Sequence, residues 1–308
     1  MVTIIAPCFN EQETIIRFLK RLEAILAAMT EKFHVVIVDD CSQDDSLGLL
    51  SAFNFNSDNI HFDILRLKFN VGQQEAIYQG LMYANTLPAT HAIVMDCDGE
   101  DDPAAIPELL KTRDYDIVTV KRGKRSESIL FRFSYLFYKL IFRMITGKTI
   151  DFGNYCMVSS SIIERISHTS FVHFPAYLLK QKAKSTKIIF NRQKRIDGKS
   201  KMGYKGLLLH AFKSMIEFGE DLLLLFLKLF VVLIILFFIS LADILYQKFI
   251  SHTAILGWFS TLSISLVILA VVCIGFFIMG VLLLNLLHQQ NTQSYKQIYT
   301  LIKKNDHE

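Results

Sequence analysis

The sequence predicts an open, largely parallel α/β sheet followed by a helical hairpin of membrane-spanning length. Three observations carry this. Short apolar runs alternate with segments of helical period through the first 122 residues. Acidic clusters close two of those runs. Two long apolar segments, 222–242 and 255–287, lie near the C-terminus, the first with Lys228 as its one charge and the second with none.

The elements follow in order. VTIIAPCF (2–9) reads as a buried strand. In the next twenty residues Ile15, Leu19, Leu22, Leu26 and Met29 recur at helical spacing. Asn10 is read as the N-cap of that helix, with Glu13 as its capping-box partner. HVVIVDD (34–40) is the second strand, and DSLGLLSAF, FDILRL, GQQEAIYQGLMYA, HAIVMDCD, PAAIPELLK and DIVTVKR continue the alternation. Strands alternating with helices imply right-handed crossovers. Ligands in such sheets sit at the carboxyl ends of the strands, where Asp39-Asp40 and Asp96-Asp98 fall.

After residue 122 the pattern changes. Segment 128–145 is apolar and aromatic, with Arg132, Lys139 and Arg143 seven and four residues apart on one helix face. That is the layout of a helix lying in a membrane surface with its cations toward the headgroups. An amphipathic core helix is the simpler alternative. A helix needs about 20 apolar residues to cross a bilayer, and both C-terminal runs reach that. Lys194, Arg195, Lys199, Lys201, Lys205 and Lys213 precede the hairpin and Lys296, Lys303 and Lys304 follow it, whereas the short loop has only Lys248. The positive-inside rule then puts the N-terminal domain and both termini in the cytoplasm. The expected organisation is a domain over 1–205 with an interfacial helix at 128–146, a juxtamembrane helix at 206–221, transmembrane helices at 222–246 and 255–287, and a tail at 288–308.

Bulk composition agrees. Of 308 residues 52% are apolar, and the net charge of +4 is too small to argue for a nucleic-acid partner. Cys8, Cys41, Cys97, Cys156 and Cys273 form no C-x-x-C pair, which argues against structural zinc and for a reducing compartment. The N-terminus turns polar too early for a signal peptide.

Two motifs carry chemistry. The acidic turn DCDGEDDP (96–103) offers carboxylates at spacing two, which can present oxygens to a hard divalent cation such as Mg2+ or Mn2+. Such an ion could also hold a diphosphate and neutralise charge growing on a leaving group. A solvated acidic turn capping the next helix is the bland alternative. The strand end IVDDCSQDDS (37–46) can accept from a base N–H or a ribose hydroxyl, or can simply cap a helix through Ser42 or Asp44.

APCFNE (6–11), VDDCSQD (38–44), FNVGQQEAIYQG (69–80), DCDGEDDP and RIDGKSK (195–201) stand in an order and spacing that resembles family 2 glycosyltransferases of the GT-A fold. Within that family the chain looks most like the polyprenyl-phosphate, dolichol-phosphate-like sugar transferases, which often carry two C-terminal transmembrane helices. The resemblance implies roles. Pro7, Asn10, Glu11, Asp39, Asp40, Lys68 and Asp96 would bind the nucleotide sugar. Asp98, with Asp96, would hold the metal. Asp101 would face the sugar or the acceptor phosphate, and Arg195 and Lys201 would act catalytically from a basic loop that closes on the phosphates. Arg132, Lys139 and Arg143 would meet the lipid phosphate. The chain departs from the pattern at Phe69, which stands where relatives often have Arg, and at Asn154 and Cys156, which stand at a usual Asp and Arg.

The expected reaction is inverting transfer of one sugar from a nucleotide sugar, with uridine the base and guanosine the alternative, to polyprenyl phosphate. An anionic acceptor needs no strong base. A hydroxyl acceptor would need one, with Asp101 or Asp151 the choices. An inactive nucleotide-sugar-binding subunit is a third reading. The lone Trp258 lies in an apolar segment, which excludes the Q-x-x-R-W stretch of processive synthases. Packing faces on the apolar helices could support a homo-oligomer.

Overall fold

The structure is a computed structural model describing residues 1–122, 129–190, 204–251, 258–291 and 297–303. Two compact units divide the chain. The first comprises Met1–Tyr138, Thr149–Glu217 and Tyr295–Glu308, and the second Lys139–Lys148 and Phe218–Ser294.

The first unit is built on an eight-stranded mixed sheet. Its strands are β1 (Val2–Cys8), β2 (Phe33–Asp39), β3 (Ile60–Leu67), β4 (His91–Val94), β5 (Ile117–Arg122), β6 (Phe152–Ser159), β7 (Ser185–Phe190) and β8 (Tyr299–Lys303), in the order β7-β5-β6-β4-β1-β2-β3-β8. β1 pairs in parallel with β2 and β4, and β2 with β3, so four carboxyl ends share one edge. β6 runs antiparallel to β4 and β5. β8 runs antiparallel to β3.

Both faces of the central strands are buried, and this is why they read as continuous apolar runs. Val2, Ile4, Ala6, Val35 and Ile37 point to one face, packed by α1 (Ile15–Leu26), α2 (Ser46–Ala52) and α4 (Ile106–Leu110). Ile5, Val36, Val38 and Leu65 point to the other, packed by α3 (Gln73–Ala84), α6 (Ser160–His168) and α7 (Phe174–Lys180). Gly80 on α3 is required by close approach, since a Cβ there would lie 2.5 Å from the Ile5 side chain.

Two expectations need correction. The first helix begins at Ile15 with Thr14 as its N-cap. Asn10 instead takes a left-handed backbone (φ 54°), and its side chain accepts from Gln43 N–H, 2.8 Å away on the next strand's loop. The distant partner wins over the local cap. Residues 299–303, expected within a tail, form β8.

Four more helices lie among the described residues: α5 (Ile129–Thr146), α8 (Tyr204–Ile216), and α9 (Gly219–Tyr246) and α10 (Trp258–Asn291), which form a hairpin. A π-helical turn, Gln247–Ser251, extends α9. α9 and α10 pack antiparallel: Leu223 meets Gly280, Phe226 stacks on Phe276 with ring centroids 5.6 Å apart, and Leu233 packs with Ala270 and Cys273. Both contain spans, Gly219–Ser251 and Ser263–Leu283, long and apolar enough to cross a membrane, and little of either span is buried.

Candidate active site

The loops after β1 and β2 are stitched to each other. Ser42 Oγ accepts from Asn10 N–H (3.0 Å), Ser46 Oγ from Glu11 N–H (2.8 Å), and Asp44 from Gln12 N–H (3.1 Å). In the other direction Asn10 accepts from Gln43 N–H and Gln12 from Asp45 N–H. Asn10 and Cys41 both hold left-handed backbone, φ 54° and 60°. Non-glycine residues pay strain there, and the reciprocal bonds hold them in place. Pro7 is buried just before this loop, its carbonyl accepting from the Cys97 thiol.

Asp39 ends β2 and Asp40 follows it, both buried. Burial pushes both carboxyls above the ordinary aspartate range. Asp40 accepts from Val71 N–H and Gly72 N–H, each at 2.8 Å, while Asn70 Nδ2 donates to the Asp40 carbonyl. The carboxylate expected at the base therefore also fixes the loop after β3. Lys68 in that loop is exposed. Gly72 has φ 88°, a conformation that turns the chain into α3 and favours glycine.

The acidic turn after β4 is folded around its own carboxylates. Asp98 Oδ1 accepts from Glu100 N–H (2.9 Å), and Asp101 Oδ2 from Asp96 N–H (3.0 Å). Gly99 has φ 85°, which the turn between Asp98 and Glu100 requires. Asp102 pairs with Arg21 at 2.9 Å and caps the 3-10 turn Pro103–Ala105 through Ala104 N–H. Tyr155 OH donates to the Asp102 carbonyl. Asp98, Asp101 and Asp102 thus each accept from a backbone N–H of the turn, and Asp96 is met by side-chain amides.

Asp96 is held by amides that the sequence reading did not assign. Gln73 Nε2 donates to Asp96 Oδ1 (2.7 Å), and Asn154 Nδ2 approaches the same oxygen (3.4 Å). Buried Gln74 donates to Asn154 Oδ1 (3.3 Å) and accepts from Phe174 N–H (2.6 Å). The residues before Phe174 are anchored by Glu217, which accepts from Val172 and His173 N–H. Two consecutive amides directly after the helix-starting Gly72 were the available signal.

The remaining expected residues separate. Asp151 is bonded to Lys187 at 2.6 Å and Lys121 at 3.3 Å. Burial raises its carboxyl, but the two ammoniums more than offset this and hold it below the ordinary range. Arg132, Lys139 and Arg143 share α5. Lys139 is half-buried and Arg143 exposed, beside the exposed apolar stripe Leu136, Leu140 and Met144. Arg195 and Lys201 lie outside the described residues.

Cys97 and Cys156 lie buried near this edge. The neighbouring Cys8 thiol and burial push the Cys97 thiol well up, and burial does the same to Cys156. Neither supplies a thiolate. Among the described residues no three His, Cys, Asp or Glu side chains form a metal cluster by themselves. The hard carboxylate oxygens of Asp96 and Asp98 at a strand end have the chemistry that could hold a divalent cation.

A mostly parallel sheet with acidic strand ends, extended by two apolar helices, defines a GT-A-like class of protein. Residues 3–167 match the family described as Glycosyl transferase family 2, and the chain belongs to that family. The undecaprenyl-phosphate 4-deoxy-4-formamido-L-arabinose transferase of Yersinia pestis (strain Pestoides F) is 30% identical over 173 residues, 54% of this chain and 51% of its own. The transferase of the same name from Yersinia enterocolitica matches to the same extent. The chain thus spans about half the length of the curated relatives it matches. Among solved structures, mannosyl-3-phosphoglycerate synthase from Rubrobacter xylanophilus superposes with TM-score 0.53 at 12% identity, over 72% of this chain and 74% of that one. Glucosyl-3-phosphoglycerate synthase from Mycobacterium tuberculosis, solved with Mn2+, UDP and phosphoglyceric acid, gives 0.52 at 10% identity, over 72% and 78%. These two share the fold.

Proposed function

We propose that this protein transfers a single sugar, with inversion, from a nucleotide sugar (a UDP-sugar) to undecaprenyl or a related polyprenyl phosphate at the cytoplasmic face of a membrane. The observation that carries the reading is one chain joining a carboxylate-rich strand-end site to two helices of bilayer length. The Yersinia relatives, named for undecaprenyl-phosphate sugar transfer, support the acceptor class.

The stitched loops after β1 and β2 bind the nucleoside, with Pro7, Asn10, Glu11, Asp39 and Asp40 along them and Lys68 at the rim. Asp96 and Asp98 hold a Mg2+ or Mn2+ ion, which supplies neutralisation of charge on the departing diphosphate. Asp101 fixes Asp96 through its backbone N–H, so its part is to position the donor set. Arg195 and Lys201, in a basic segment with Gly198 and Gly203, close on the phosphates. The acceptor phosphate is already anionic, so placement and leaving-group stabilisation are what the protein must supply. Asp151 is disfavoured as the general base a hydroxyl acceptor would need, since two lysines hold its carboxyl down.

The same-side topology has support in β8. The strand after α10 lies in one sheet with the strands before α9, so α9 and α10 cross as a hairpin. The basic residues flanking the hairpin favour the cytoplasmic side, and the α5 stripe with Arg132, Lys139 and Arg143 suits a membrane surface.

The test is purified full-length protein with a panel of nucleotide sugars, undecaprenyl phosphate, and Mn2+ or Mg2+. Expected is a metal-dependent lipid phosphosugar, lost by at least ~100-fold in Asp98→Ala. Turnover on a hydroxyl lipid alone, or none on any lipid, overturns the reading.

A further inference from the structure

The sheet continues past the end of β3. β8 pairs with β3 from Asp63↔Lys303 to Leu67↔Tyr299, and one step further the Ile298 carbonyl accepts from Lys68 N–H at 3.0 Å. Lys68 opens the segment whose Val71 and Gly72 N–H groups hold the Asp40 carboxylate and whose next residue, Gln73, reaches Asp96. The ladder from β8 therefore runs directly into the loop that connects the two acidic strand ends.

Side chains anchor this strand on both faces. Ile302 packs with the cluster under α1, and Ile298, Tyr299 and Leu301 pack with the cluster under α3, as does Val71. The Tyr299 ring meets the Tyr83 ring edge-on, centroids 6.1 Å apart, and Tyr83 OH donates to Asp63 on β3. Burial pushes the Tyr299 hydroxyl up, so it stays neutral in this contact. Remove β8 and β3 becomes a sheet edge whose end, Leu67–Lys68, has no ladder on its outer side. Loop segments at such an edge open at little free-energy cost.

We propose that residues 298–303 are a positioning strand for the donor site: β8 holds 68–72 in the conformation that fixes Asp40 and aims Gln73, so binding of the nucleoside diphosphate depends on the chain that follows α10. This rests on the donor reading above. It assigns Ile298, Tyr299 and Leu301 a part in donor affinity although none of them is among the residues proposed to bind the nucleotide, Ile298 reaching them only through Lys68 N–H. The contribution is to binding rather than to the reacting atoms, so donor KM changes more than kcat.

The experiment uses the full chain in detergent and two detached-strand variants, one ending at residue 297 and one the double variant L301D/I302D. The exposed Thr300→Ala variant serves as control. Hydrogen exchange is followed at Lys68, Val71 and Gly72, and UDP and GDP binding is measured with Mn2+. Expected are faster exchange at those three amides, unchanged exchange in β1 and β2, and about a tenfold rise in nucleotide Kd and donor KM with kcat within about threefold. Leu301→Val should restore parental values. In the parent, Lys68, Val71 and Gly72 should open together with β8, a readout independent of whether the variants fold. Unchanged exchange in the detached variants, or independent opening in the parent, overturns the proposal. Should the parent bind neither nucleotide, the donor reading fails, and the exchange data still decide whether β8 holds the loop.

Discussion

The Gln73 side-chain amide donates to the Asp96 carboxylate across 2.7 Å, tying the first residue of α3 to the end of β4. The contact joins the loop that Asp40 organises to the acidic turn that would hold a cation. Gln73 is exposed and packs no core.

Replacing Gln73 with Ala removes a hydrogen bond to a charged group, worth about 1.5–3 kcal/mol. We expect kcat/KM for the nucleotide sugar to fall roughly 10- to 100-fold and the thermal midpoint to drop by a few degrees. Gln73→Glu should be worse than Ala, since it sets one carboxylate against another. Steady-state kinetics with thermal melts checks both.

Asp39 is fully buried at the end of β2 and accepts from Ser42, from its side chain and, at 3.4 Å, from its backbone N–H. Burial raises its carboxyl, so the ionised form costs folding stability at neutral pH. The sign is definite. A raised acid favours the folded state below its unfolded value and loses that advantage as pH climbs through the folded value. Asp39→Asn should therefore melt higher than the parent at pH 7 and show no relative gain below the ordinary aspartate value of 3.8. Donor affinity should drop in the same variant. Melts across pH with nucleotide titrations measure the trade.

Asp151, clamped by Lys187 and Lys121, separates the two acceptor classes. For a phosphate acceptor, Asp151→Asn should lower kcat by less than about tenfold and leave the acid limb of the pH–rate profile in place. A loss of about a thousandfold together with that limb would make it the general base.

At Gly280 the side chain of Leu223 from α9 packs directly over the α10 backbone. A Cβ there would stand 2.1 Å from the tip of Leu223, whereas nothing lies within 4 Å of one at Gly275. Gly280→Val should weaken the hairpin by about 1–3 kcal/mol. Gly275→Val should leave it intact. Thermal unfolding of both variants in one detergent distinguishes them.

The legible parts of the sequence were those where local pattern and burial agree. β1 and β2 show as apolar runs because both their faces are covered, and α1 shows its buried stripe from Ile15 to Leu26. Asn10 misled because its cap-like chemistry was satisfied 33 positions away, by Gln43. β7 alternates exposed and half-buried residues at the sheet's far edge, and β8 is five residues placed after a long apolar helix. Neither carries a signal without its partner strand. The acidic ends were readable as carboxylates, but not the division of labour within them. That Asp102 serves Arg21 and Asp96 is met by Gln73 depends on distances no spacing encodes.

Among the described strands β8 is the one the ribosome makes latest. Its partner Leu67 emerges early, and both apolar helices must be synthesised before Tyr299 can reach it. Until then β3 presents an open row of N–H and C=O groups, the template on which chains aggregate. A polypeptide interrupted within α9 or α10 keeps that row bare, so closure of the sheet signals that the hairpin has been completed.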